Sequence, residues 1–170
     1  LKAFKLDVSE SGRFADVLAQ GANRSAADVG DLGAALKQVA PVAAVTNNSL
    51  EDTTALLSIL ANNAVRGADA GSDLRGILSR LTDPSKELRT ILKELNVSIT
   101  DSGGRLKPLV QLVAEFRTAL NGLNDADRLR AASVIAGQEN LKSFLNLVGT
   151  APSQIQAMQL AMLEADGAAK

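Results

Sequence analysis

The chain has 170 residues, 46% of them hydrophobic but only 2% aromatic, with 18 basic and 19 acidic residues and neither Cys nor His. So high an apolar fraction excludes a disordered chain and implies a core of Leu, Val, Ile and Ala. Balanced charge with few aromatics argues against a nucleic-acid surface, and the missing Cys and His remove thiol nucleophiles, His-based catalysis and His- or Cys-ligated metals.

Apolar residues recur at helical spacing along the sequence. The first stripe is Leu32, Ala35, Leu36, Val39 and Ala43, preceded by a capping-box spacing at Ser25 and Asp28. Pro41 falls inside this run and predicts a kink or the start of a second short helix. Ser49 and Asp52 repeat the capping-box spacing. Leu74, Ile77, Leu78 and Leu81 form the next stripe. Asp83–Pro84 has the form of an N-cap followed by Pro at the first helical position, ahead of Leu88, Ile91, Leu92 and Leu95. Val97–Thr100 then alternates apolar and polar residues, and Asp101–Gly104 supply a turn before Arg105–Lys107, which predicts a small β-hairpin near 97–107. Beyond it Pro108 opens a helix carrying Leu109, Leu112, Val113 and Phe116. Leu141, Phe144, Leu145 and Val148 follow, and Pro152 opens the last helix. The expected fold is all-α, a compact array of about eight mostly short helices with that one hairpin. It forms a single helical module over residues 1–170, and a first residue of Leu rather than Met suggests a fragment of something longer.

The chemical motifs dissolve under inspection. Gly71 to Gly76 has the glycine spacing of a phosphate loop, but Ile77-Leu78 stands where Lys-Ser/Thr must reach the phosphates and Mg²⁺. Tight helix entry or close packing accounts for the pair. Asn124-Asp125-Ala126-Asp127 lacks the frame of a calcium loop and fits an N-cap with acids in the first turn. Asp28/Asp31 and Asp69/Asp73 lie at helix starts or on polar faces. No catalytic residue, metal site or cofactor is therefore expected, and the chain is not expected to be an enzyme. Ser143 to Leu163 carries no charge, yet its Asn, Thr, Pro and three Gln make it too polar for a membrane span, which needs about 20 mainly apolar residues. Ile155, Met158 and Met162 form an apolar stripe there, suited either to core packing or to contact with a partner.

Taken in order, these segments resemble phage tail tape-measure proteins. Leu32–Ala43 (LGAALKQVAPVA) is similar to that family's LG-x-A-L-x-x-V-A-P-V-A helix, and Ser49–Leu57 to the capped helix after it. Gly67–Gly71 with Leu74-Arg75 resembles its G-x-x-A-G-T-x-L-R junction, with Ser72 in place of Thr. Leu95–Asp101 and Gly104–Leu109 resemble its small hairpin and next helix. Asn124–Arg128 and Ile135-Ala136-Gly137 are similar to its last block, with Ala136 where Phe is commoner. The match runs from about Gly12 to Gly149. The resemblance implies a structural module of a phage or phage-like tail, lying in the tube lumen after synthesis in the host cytoplasm. It implies a part in tail length determination and assembly. The implied partners are other copies of the chain, tail tube and tail-tip proteins and tail assembly chaperones. The residues by themselves also fit a helical adaptor that captures partner helices in a groove, with no phage role.

Overall fold

The apolar stripes become nine α-helices in the computed structural model, which describes residues 2–4 and 6–169. They are α1 (Ser11–Asn23), α2 (Val29–Val45), α3 (Leu50–Asn62), α4 (Gly67–Thr82), α5 (Lys86–Leu95), α6 (Leu109–Asn121), α7 (Asp125–Ala136), α8 (Leu141–Gly149) and α9 (Pro152–Leu163). Short 3-10 turns at Lys2–Phe4, Val8–Glu10 and Gln138–Asn140 complete the elements among the described residues. Nine helices stand where about eight were expected.

Local chemistry sets the helix ends. Ser49 caps α3 by accepting from the Asp52 N–H at 3.0 Å, as its spacing predicts. Two other starts differ. α2 is capped by Asp28, not Ser25: Asp31 N–H donates to Asp28 Oδ1 at 2.6 Å, and Asp28 N–H donates back to Asp31 Oδ2 at 3.1 Å. Two short carboxylates complete this reciprocal box, while the Ser25 hydroxyl donates to the Gly21 carbonyl at the end of α1. α5 is capped by Ser85, which accepts from Leu88 N–H at 3.1 Å, so Pro84 stays outside the helix. Pro41 does not end α2, which runs through it to Val45. One lost backbone bond is tolerated because Leu36, Val39 and Ala43 on either side are fully buried.

The expected β-hairpin is not present. Among the described residues no strand forms, and Thr100 and Leu106 make one isolated antiparallel bridge. Two backbone bonds flank the bridge, Asp101 N–H to Arg105 O at 2.8 Å and Lys107 N–H to Ile99 O at 2.9 Å, and Asp101 Oδ1 helps close the turn by accepting from Gly103 N–H at 2.9 Å and Arg105 N–H at 3.0 Å. Both flanks are claimed early, by the left-handed Asn96 that terminates α5 and by Pro108, which has no N–H to give a ladder. Ile99 and Leu106 still pack against the core, so the alternation marks burial, with pairing that goes no further than this one bridge.

α3 runs through the middle of the fold, and every residue from Thr53 to Ala61 is buried. α2 and α4 cross most closely. Gly71 makes this possible, since a methyl group there would sit 2.1 Å from the Ala35 carbonyl oxygen. Phe116 of α6 and Phe144 of α8 meet edge to face, with centroids 5.8 Å apart and planes at 67°. The core is continuous from Val17 to Ala165.

Candidate interaction groove along the last helix

Most polar groups that could have carried chemistry are engaged in holding helices. Asp28 and Asp31 cap α2. Asn124 caps α7 by accepting from Asp127 N–H at 2.8 Å. Asp73 accepts from the Ser143 hydroxyl at 2.6 Å and so ties α4 to α8. Three arginines reach the carbonyl ends of helices, where a cation also meets the negative end of the dipole. Arg128 donates to Leu120 O and Leu123 O at 3.0 and 2.8 Å, Arg80 to Val134 O at 2.7 Å, and Arg117 to Val148 O at 2.9 Å. Gly76 lies under Asn140, so a methyl group there would stand 2.4 Å from the Asn140 amide nitrogen. The Gly71–Gly76 spacing is thus used for packing. Among the described residues no three acidic side chains gather to hold a metal, and no helix is long and apolar enough to cross a membrane.

A groove of about 640 Å³ lies between the C-terminal ends of α3 and α8 and one flank of α9. Ile59, Leu145 and Met158 supply its apolar wall, and Arg24, Asn62, Asn63, Asn146 and Gln154 its polar rim. Gln154, Ala157, Met158 and Ala161 fall on one side of α9 at i, i+3, i+4, i+7 spacing. The amide nitrogen of Asn146 is buried there without a hydrogen-bond partner. Such a donor loses its water and gains nothing, at a cost of about 1–3 kcal/mol. Arg24 is the only charged residue in the lining.

The three residues singled out in the uncharged stretch are divided. Ile155 is 4% and Met162 1% exposed, and both belong to the chain's own core. Met158 is half-buried and faces the groove. The sequence reading did not find Arg24 and Asn146, because each enters the groove from a different helix end. Nor did it find Leu160 and Leu163, which are 54% and 68% exposed on another flank of α9.

Fold and surface together define an all-helical module in which many polar side chains cap helices or tie them together and open grooves run between helices. A family profile for the phage-related minor tail protein matches residues 1–137. The chain belongs to that family and is a phage tail structural component. It is 38% identical over its whole length to the tape measure protein of Pneumococcus phage Dp-1, covering 15% of that relative. It is 33% identical over 139 residues to the probable tape measure protein of Escherichia phage P2, covering 81% of this chain and 17% of the relative. The probable tape measure protein of Clostridium phage phiCD119 is 27% identical over 160 residues, 94% of this chain and 16% of that protein. The chain therefore spans about a sixth of the length of these relatives. The tape-measure resemblance of the sequence is borne out. No solved structure matches the chain.

Proposed function

We propose that the chain is one folded module of a longer tape-measure protein, which lies in the lumen of the tail tube and takes part in tail assembly and length determination. The observation that carries this reading is whole-chain similarity to a tape measure protein several times its length. In this reading the protein is made in the host cytoplasm, is received there by tail assembly chaperones, and then contacts tail tube and tail-tip proteins and further copies of itself. Met158 lies in the contact surface, while Ile155 and Met162 anchor its helix from the core side. The module acts by shape and surface and performs no hydrolysis. An in-frame deletion of these 170 residues from the parent gene tests the role. Particles without tails, or with tails of altered length, are expected. Infectious particles with tails of normal length would overturn it.

A further inference from the structure

α9 carries two unlike surfaces. One flank lines the groove with Met158 and Ala161. Another presents Leu160 and Leu163, followed by the C-capping Glu164, which is also exposed. These three follow i, i+3, i+4 spacing and form a short ridge with an apolar body and an acidic end. Between groove and ridge, Ile155 and Met162 fix the helix to the core. The groove has the complementary character: an apolar wall, one cation at Arg24, no acidic residue, and the unpartnered amide donor of Asn146. Among the described residues, neither Arg24 nor Glu164 has a side-chain hydrogen bond or ion pair.

We infer that a second copy of this chain docks the Leu160–Leu163–Glu164 ridge of its α9 into this groove. The leucines cover Met158 and Leu145, and the Glu164 carboxylate faces Arg24. Because ridge and groove are different surfaces, a copy bound by its ridge still presents its own groove. The contact is head-to-tail: it closes into a ring where its rotation returns to the first copy and runs on as a filament where it does not. It rests on the reading that copies of the chain lie together in one tail.

Sedimentation of the chain over a range of concentrations tests this. The unmodified chain should associate reversibly beyond the dimer, as a ring or as an open series. Leu160→Ser with Leu163→Ser removes the ridge, and Arg24→Glu with Ala157→Glu puts two carboxylates in the groove; all four positions are exposed, so helical circular dichroism should be retained. Each double variant alone should associate at least tenfold more weakly. Mixed, they should form a 1:1 complex that does not grow, since one intact ridge meets one intact groove. A chain that stays monomeric, variants that associate as well as the parent, or a mixture that yields no pair would each overturn the contact. A monomeric chain would leave the tail role standing, because deletion from the parent gene tests that separately.

Discussion

Gly71 and Asn48 show how much of this fold rests on single side chains, or on their absence. The Ala35 backbone fills the space where a side chain at Gly71 would go, so Gly71→Ala must push α2 away from α4. Overpacking of this kind costs about 1–3 kcal/mol. For a domain of this size each kcal/mol lowers Tm by about 2–4 °C, which a thermal melt followed by circular dichroism would detect. An unchanged Tm would mean that the two helices do not pack as described. Asn48 is 6% exposed and bridges two loops. Its Nδ2 donates to Thr46 O at 2.8 Å, and its Oδ1 accepts from Leu109 N–H at 2.8 Å, capping a helix whose own N-cap residue is Pro108. Asn48→Ala strands that N–H in the interior and should cost about 1–3 kcal/mol in denaturant unfolding, while the exposed Asn121→Ala should cost little. Glycine spacing in the sequence indicates close packing at Gly71 but not its partner. Nothing in the sequence links Asn48 to Leu109, because the bond spans 61 residues.

At the scale of elements, legibility follows amphipathicity. α5 sits at the surface, and Leu88, Ile91 and Leu92 mark its buried stripe in sequence and structure alike. α3 is buried on all sides, so its sequence shows a capped apolar helix but not its central place. α9 is apolar on two flanks, so its stripe alone cannot separate core residues such as Met162 from exposed ones such as Leu163. At 97–107 pairing stops at the single Thr100–Leu106 bridge and forms no strand, because Asn96 still ends α5 and Pro108 has no N–H to extend a ladder. α8 and α9 lie beyond the family match, which ends at residue 137, yet Phe144, Leu147, Ile155 and Met162 belong to the same core. A fragment of residues 1–137 should therefore fail to fold cooperatively. Removing a buried Phe alone costs about 3–5 kcal/mol, a large share of a domain's total of about 5–15 kcal/mol. The measurement is calorimetry, and a sharp transition at the temperature of the full chain would contradict the claim.

For the molecule as a whole, shape separates a folded module from a ruler. A chain of this length drawn into one helix would reach about 255 Å at 1.5 Å per residue. Folded as a nine-helix domain it is about 40 Å across, from the usual scaling of the radius of gyration with length. The folded form contributes little contour length, and the groove and ridge of α9 lie among its exposed surfaces, which also present Val8, Val45 and Leu129. A density map of the intact particle, with this segment located by an inserted tag, tests the account most directly. The expected result is compact helical density inside the tail, in units of about 40 Å, at one position along the tape-measure protein. A continuous rod of about 255 Å at that segment, or a tag found outside the tail, would contradict it.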